Sequence, residues 1–306
     1  IEEMKSYYRV MLGRQSVHAP VCFAEGFVGV DGDLQRDLGP YLTEELRPFI
    51  HQMAPVYREL YPDISKIVAG QSASIDWTVC KGIQIGDIVL SPDGKGAYRV
   101  GEVTSDYVYA PACILPNRRM VRWLDATITR VAMSDALKGS TGSTRTAVNL
   151  SGYRDEIVGL MGVAPTPHLI STDETVEDAS AFALEKHLED FLVKNWTQTD
   201  LGKDYNVYEE NGEQIGQQYP TDTGPMDILA IKKDKSELLV VELKKGRASD
   251  MVVGQTLRYM GYAAQELAEP NQKVRGVIIA LEDDQRIRRA LAASPNIEFY
   301  RYQISF

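Results

Sequence analysis

Two apolar segments of the chain each carry a carboxylate where burial would normally exclude one. Asp227 lies in the segment GPMDILA (224–230), and Glu242 lies in LLVVELKKG (238–246). A charge inside an apolar strand costs free energy unless it is paired or bound to a metal. A lone Glu-x-Lys pattern is usually an ordinary solvated pair, but the four apolar residues before Glu242 favour a functional site.

The two segments are spaced to form a β-hairpin. Each is rich in Ile, Leu and Val, and the turn between them (232–236) is short and polar. Pairing would bring Asp227 and Glu242 together, and Lys244, two residues further on, would share the face of Glu242. Two carboxylates and one ammonium group at a sheet surface predict a site for a divalent metal and a water molecule.

The elements around the hairpin predict a mixed α/β layer structure. They are helices over 173–195, 250–267 and 283–293 and strands over 273–281 and 297–305. On the first helix Glu185 falls at the inner edge of the apolar stripe and Glu189 further toward solvent, so Glu185 is the expected additional site residue. On the second helix Gln255 and Arg258 share one face.

These residues together resemble the PD-(D/E)xK nuclease superfamily, nearest to the Mrr-type restriction endonucleases and the NucS-like nucleases. The resemblance covers the C-terminal 140 residues. It rests on Asp227 in PMDILA, on Glu242 and Lys244 in VVELKKG, on GQTLRYM (254–260) and on a Glu-x-x-x-Glu pattern in the first helix. The Pro-Asp of the family is Pro-Met-Asp here.

The resemblance implies hydrolysis of phosphodiester bonds with Mg²⁺ or Mn²⁺. Asp227, Glu242 and the backbone carbonyl of Leu243 would hold the metal. Lys244 would position the water or stabilise the transition state, and Gln255 would join the site from its helix. Arg258 would contact phosphate, although pairing with a surface acid is an equal alternative.

The N-terminal half has a largely β pattern. Residues 5–30 are expected to form two strands around a turn. Further strands are expected at 82–90 and 97–103 and around 107–109 and 118–123. Helices are expected over 40–62, 72–79 and 153–162. The glycine- and serine-rich stretch 134–150 reads as a flexible loop region, and 164–167 (APTP) as a linker.

This half is similar to the PUA/EVE-like β-barrel domains found ahead of nuclease domains. The similarity rests on WTVCKGIQIGDIVL (77–90), GEV (101–103) and RRMVRWL (118–124). It implies a pocket that accepts a modified base flipped out of DNA, with an aromatic wall. The aromatic candidates are Trp77, Tyr98, Tyr107, Tyr109 and Trp123; core packing is an alternative for all of them and is favoured for Trp123. Arg118, Arg119 and Arg122 are candidate phosphate contacts.

Composition narrows the class of protein. The hydrophobic and charged fractions, 44% and 25%, are typical of a globular protein, and no apolar run approaches the roughly 18 residues of a membrane span. No signal peptide is visible, and the three scattered cysteines predict neither disulfides nor zinc, so a cytoplasmic prokaryotic protein is expected. The net charge of −10 weakens a DNA-binding hypothesis without excluding it.

The sequence therefore predicts a two-domain α+β protein. A PUA/EVE-like β-barrel over 4–163 would recognise a modified base, and a PD-(D/E)xK domain over 170–306, a mixed sheet flanked by helices, would cleave DNA. The expected role is modification-dependent restriction of foreign DNA, a form of phage defence, by a hydrolase that acts as a homodimer. The alternatives are a structure-specific repair nuclease and a catalytically silent DNA-binding protein.

Overall fold

The chain folds into two compact units in a computed structural model that describes residues 4–30, 34–162 and 179–302. The first unit spans 1–62 and 72–183, and the second spans 63–71 and 184–306. The second unit therefore includes a short segment from the N-terminal half, which a purely sequential division does not anticipate. Within the described residues, no helix is both long and apolar enough to cross a membrane.

The first unit is built on a mixed sheet in the order β2-β5-β4-β3-β1-β6. Its strands are β1 (Tyr7–Val10), β2 (Phe27–Val30), β3 (Ile88–Pro92), β4 (Ala97–Tyr109), β5 (Asn117–Thr129) and β6 (Ala147–Asn149). Among the described residues no pairing joins β2 to β6, so the sheet is open. The closed barrel expected from the sequence is not confirmed.

Helices and short turns lie between these strands and after the last of them. The helices of the N-terminal half are α1 (Ala19–Glu25), α2 (Leu46–Leu60), α3 (Lys66–Trp77), which begins within the segment 63–71, α4 (Asp135–Thr141) and α5 (Arg154–Leu160). The helices expected over 40–62 and 153–162 are confirmed. The helix expected over 72–79 begins earlier, at Lys66, and passes into a π-helical turn over Thr78–Gly82.

Two expectations for this unit are wrong in part. The two strands expected within 5–30 are present as β1 and β2, but α1 rather than a polar turn lies between them, and β1 pairs with β3 and β6. The stretch 134–150 is not an irregular loop, since it contains α4 and β6. Arg9 helps to order this stretch. Its guanidinium is fully buried and donates to the carbonyls of Ser143 (2.8 Å) and Arg145, between α4 and β6.

Replacing Arg9 by Met should destabilise the first unit. Two backbone carbonyls would lose their charged donor, and each partly buried acceptor left without one costs about 1–3 kcal/mol. We expect Arg9→Met to lower the free energy of unfolding by about 2–4 kcal/mol in a calorimetric melt. The exposed Arg14 supplies the matched control, and an equal effect of Arg14→Met would contradict this account.

The second unit contains a mixed sheet in the order β10-β11-β12-β13-β14, with β7 also paired to β11. The strands are β7 (Tyr205–Val207), β8 (Glu209–Glu210), β9 (Glu213–Gln214), β10 (Gln217–Thr221), β11 (Gly224–Lys232), β12 (Glu237–Arg247), β13 (Lys273–Glu282) and β14 (Ile297–Arg301). The helices are α6 (Ala179–Lys194), α7 (Asp250–Tyr262) and α8 (Gln285–Ala292).

Alternation along the central strands gives this sheet two apolar faces. On β12, Leu238 and Val240 join the cluster that includes residues of α7 and α8, whereas Leu239, Val241 and Leu243 join the opposite cluster. Leu188 and Leu192 of α6 pack against that opposite cluster. The mixed sheet flanked by helices is therefore confirmed.

The predicted hairpin is confirmed as β11 and β12, which pair antiparallel from Ile228 opposite Val241 to Ile231 opposite Leu238. The later helices and strands are also confirmed. The strands between 205 and 221 are an addition that the sequence pattern did not predict. The proposed linker 164–167 and the start of the first predicted helix, 173–178, lie outside the described residues.

Candidate active site

The two acidic residues meet where the β11–β12 hairpin opens. Regular pairing ends at Ile228 opposite Val241, so Asp227 lies opposite Glu242. The backbone N–H of Asp227 donates to Glu242 Oε1 at 3.3 Å, and the backbone N–H of Leu243 donates to Asp227 Oδ2 at 2.8 Å. The structure thus places the predicted pair together.

Glu242 carries a carboxyl group in an apolar sheet. Its side chain is 1% exposed. Burial raises the pKa of Glu242 well above its usual range, and the charge of Asp227 raises it further, while Lys244 lowers it. Such a carboxylate becomes more favourable when a cation binds beside it.

Lys244 lies on the same side of β12 and faces Glu185. Its Nζ is 3.8 Å from Glu185 Oε2, and both side chains are mostly buried. Glu185 Oε1 also accepts a hydrogen bond from the backbone N–H of Lys245 at 2.9 Å. Glu185 is therefore brought to the site, where it contacts the lysine side of the cluster.

Glu189 is not directed toward solvent, and the expectation that it would be is wrong. Its side chain is nearly inaccessible, at 2% exposure. It accepts hydrogen bonds from Lys186 (2.5 Å), from Gln217 (2.7 Å) and from Gln218. Burial raises its pKa to about 7; the cation of Lys186 opposes that shift, and the charge of Asp227 adds to it.

Lys186, Gln217 and Gln218 were missed by the sequence reasoning. Each is polar and lies next to apolar positions, but nothing local marks it as a partner of Glu189. Gln218 also connects Glu189 to the predicted pair, because its Nε2 donates to Asp227 Oδ1 at 3.2 Å. Two adjacent glutamines, at the start of the short strand QQYPT (217–221), were the one signal available.

Helix α7 contributes a second set of side chains. The side chain of Gln255 forms a hydrogen bond with the phenol of Tyr259. Burial raises the pKa of Tyr259, the hydrogen bond from Gln255 opposes the shift, and the charges of Glu242 and Asp227 add to it. Gln255 therefore contacts Tyr259 on the same helix. Arg258 is exposed on the same helix.

The donor set fits Mg²⁺ without forming a ready-made cage. Within the described residues, no three acidic, histidine or cysteine side chains form a group that could hold a metal. Mg²⁺ needs only one or two carboxylates and keeps several water ligands. Asp227 and Glu242 supply two carboxylates, whose hard oxygens suit Mg²⁺. The backbone N–H of Leu243 donates to Asp227. In an antiparallel pair the N–H and C=O of one residue point to the same neighbouring strand, so the carbonyl of Leu243 is directed to that side as well.

Among the aromatic candidates of the first unit, only Tyr107 lines a cavity of about 230 Å³. Tyr98 is wrong as a pocket wall, since it is 5% exposed and belongs to the core. Trp77 and Trp123 each donate their indole N–H to a backbone carbonyl, and Trp123 packs edge-on against Phe23 at 4.9 Å. Tyr109 is half-buried at the end of β4.

The predicted basic cluster is divided among different environments. Arg119 is 2% exposed and donates to the carbonyls of Ser105 (2.8 Å) and Ile83, so it is wrong as a surface phosphate contact; it lines the same cavity as Tyr107. Arg118 covers the Phe27 ring at 3.7 Å. Arg122 is the most exposed of the three and lies 3.5 Å from Glu102.

Two family models match parts of the chain. Residues 185–304 match the Endonuclease NucS C-terminal domain, and residues 19–151 match a domain of unknown function (DUF8426). The C-terminal region is therefore NucS-like, whereas neither the Mrr-type relationship nor the PUA/EVE-like resemblance is confirmed. No curated protein sequence matches the chain.

Solved structures give a weaker likeness. A repair endonuclease from Pyrococcus abyssi is 16% identical over 69% of this chain and 66% of that chain, with a TM-score of 0.31. The structure of an EndoMS–dsDNA2 complex is 14% identical over 72% and 65%, with a TM-score of 0.32. The chain thus spans slightly less than two thirds of the length of these structures.

Proposed function

We propose that the protein is a metal-dependent DNA endonuclease that hydrolyses phosphodiester bonds. The observation that carries this proposal is the contact of Asp227 with Glu242 at the open end of the β11–β12 hairpin, with Lys244 two residues further along β12 and 3.8 Å from Glu185. The match of residues 185–304 to an endonuclease domain supports it. A protein that only binds DNA would have no need for all three side chains.

Asp227, Glu242 and the carbonyl of Leu243 would hold Mg²⁺ or Mn²⁺. When bound, the metal supplies a Lewis acid and lowers the pKa of a water ligand. The buried position of Glu242 excludes competing solvent from its carboxylate. The hydrogen bond from Leu243 fixes the orientation of Asp227.

Lys244 would place an ammonium group beside the phosphate that reacts. A fixed cation in a partly buried site stabilises charge that develops in the transition state. Glu185 holds the lysine side chain in place, and Gln255 would join the site from α7. The exposed Arg258 is a proposed contact with the DNA backbone.

The finer proposal is modification-dependent restriction of foreign DNA. Its support is the cavity of about 230 Å³ in the first unit, which Tyr107 and Arg119 help to line. The Tyr107 hydroxyl donates to Asp37 at 2.6 Å, which fixes the ring. A base stacked on such a ring gains about 1–3 kcal/mol. Arg122 would contact the phosphates, and a homodimer would cut both strands.

The second candidate is a structure-specific repair nuclease. The match of the C-terminal region to NucS, rather than to an Mrr-type model, favours it. Such an enzyme would act on mismatched or branched DNA and would not need a base pocket.

A cleavage assay on a set of related DNA duplexes separates these candidates. The duplexes are unmodified, methylated or hydroxymethylated at cytosine, methylated at adenine N6, mismatched, or branched, and each is incubated with Mg²⁺ or Mn²⁺ beside Asp227→Ala. Cutting confined to one modified duplex supports restriction, and cutting confined to mismatched or branched DNA supports repair. No cutting of any duplex, with DNA binding retained, would overturn the nuclease proposal.

A further inference from the structure

Two consecutive glutamines of β10 reach the same carboxylate. Gln217 Nε2 donates to Glu189 Oε1 at 2.7 Å, and Gln218 Nε2 donates to Glu189 Oε2. In a regular β-strand, successive side chains point to opposite faces of the sheet. The strand must therefore depart from regular geometry at one of these two residues.

The departure lies at Gln218. Its φ is 52°, in the left-handed region that residues with a Cβ rarely adopt. The pairing on both sides is undisturbed, because Gln217 lies opposite Ile228 and Tyr219 lies opposite Met226. The unfavourable backbone conformation is thus confined to one residue, and it directs that side chain toward Glu189. Unfavourable backbone conformations of this kind concentrate at functional sites.

The Gln218 amide also holds the predicted ligand. Its Nε2 donates to Asp227 Oδ1 at 3.2 Å, while the backbone N–H of Leu243 occupies Oδ2. Each oxygen of the Asp227 carboxylate therefore has a fixed donor. The same amide lies between two carboxylates, Glu189 and Asp227. Their charges repel each other: burial raises the pKa of Glu189, and the charge of Asp227 adds to that shift.

Glu189 has anchors besides Gln218. Lys186 contacts both Glu189 (2.5 Å) and Asp190 (3.1 Å), and Gln217 bridges the same two residues, reaching Asp190 at 2.6 Å. These contacts fix Glu189 on α6. Gln218 is the residue that extends this fixed group to Asp227.

We propose that Gln218 is a positioning residue that holds the Asp227 carboxylate in the orientation required by a divalent cation. This proposal rests on the proposed function. The left-handed backbone at Gln218 brings its amide within reach of Glu189 and Asp227 together. A shorter amide at this position could not span both carboxylates.

The test compares Gln218→Asn with wild type by calorimetric titration of Mn²⁺ and by thermal melting in EDTA. Asn adopts left-handed φ readily but is one methylene shorter. We expect Mn²⁺ affinity, measured at a temperature where the variant is fully folded, to fall at least tenfold. The melting temperature in EDTA should fall as well, because Glu189 and Asp227 each lose a donor. Gln218→Gly, in which glycine accepts this φ without strain, should behave in the same way.

Gln214→Asn is the control. Gln214 is an exposed glutamine of β9, so its substitution shortens an amide outside the Glu189 contacts described above, and we expect Mn²⁺ affinity within threefold of wild type. Wild-type affinity in both Gln218 variants would overturn the positioning role, and so would a loss of affinity that is absent at temperatures where the variants are fully folded. If wild type itself neither binds Mn²⁺ nor cleaves DNA, the proposed function fails as well.

Discussion

Glu242→Gln should abolish DNA cleavage and at the same time make the metal-free protein more resistant to heat. Glutamine has the same shape, so the packing of β12 is kept. The substitution replaces a carboxyl group whose ionised form is disfavoured, because Glu242 is only 1% exposed and lies beside Asp227. Losing one of the two carboxylate ligands should lower the cleavage rate by about 10³-fold or more. Removing the buried charge should raise the melting temperature by about 2–4 °C per kcal/mol gained.

Cleavage in Mg²⁺ and melting in EDTA measure the two effects. Glu237→Gln is the matched control, because Glu237 is a buried carboxylate at the other end of the same strand, where it accepts a hydrogen bond from Tyr205. That variant should keep its cleavage rate. Substantial cleavage by Glu242→Gln, or a lower melting temperature in EDTA, would contradict the proposed role of Glu242.

Lys244→Met should slow cleavage by about 10²–10³-fold while leaving DNA affinity nearly unchanged. Methionine keeps most of the apolar stem of the side chain and removes only the charge. The ammonium group is partly buried beside Glu185, so it acts at one place rather than as part of a diffuse positive surface. Single-turnover rates and fluorescence polarisation with labelled DNA separate the chemical step from binding.

Lys233→Met is the control for a general loss of positive charge. Lys233 is exposed in the turn at the opposite end of the hairpin, and its substitution should affect neither quantity. If Lys244→Met weakened DNA binding by the same factor as it slowed cleavage, Lys244 would be a binding residue rather than a contributor to the transition state.

The hairpin and its acidic pair were predictable because local signals agreed. Ile, Leu and Val mark two strands, the polar turn fixes which residues pair, and strand alternation places Glu242 and Lys244 on one face. The structure reproduces that register, with Asp227 opposite Glu242.

The choice between Glu185 and Glu189 could not be made from the helix alone. The apolar stripe of α6 follows Leu188 and Leu192, and it leaves Glu189 toward the polar side. Burial of Glu189 depends on the amides of Gln217 and Gln218. Both residues belong to β10, a short strand whose sequence has little β pattern of its own. The left-handed backbone at Gln218 has no sequence signal at all.

The first unit was harder to predict because long-range pairing decides it. β1 pairs with β3, about 80 residues away, and with β6, about 140 residues away, so neither contact is visible locally. Arg9 similarly orders a glycine- and serine-rich stretch that its composition alone assigns to a loop.

Cleavage of closed circular DNA by wild type and by Asp227→Asn, in Mg²⁺ and in EDTA, tests whether the protein is a metal-dependent nuclease. The DNA is prepared unmodified, with modified bases and with mismatches. We expect wild type to nick or linearise at least one of these DNAs in Mg²⁺ and none in EDTA, and Asp227→Asn to cut none. Cleavage in EDTA, equal cleavage by Asp227→Asn, or intact DNA throughout would contradict the proposed function.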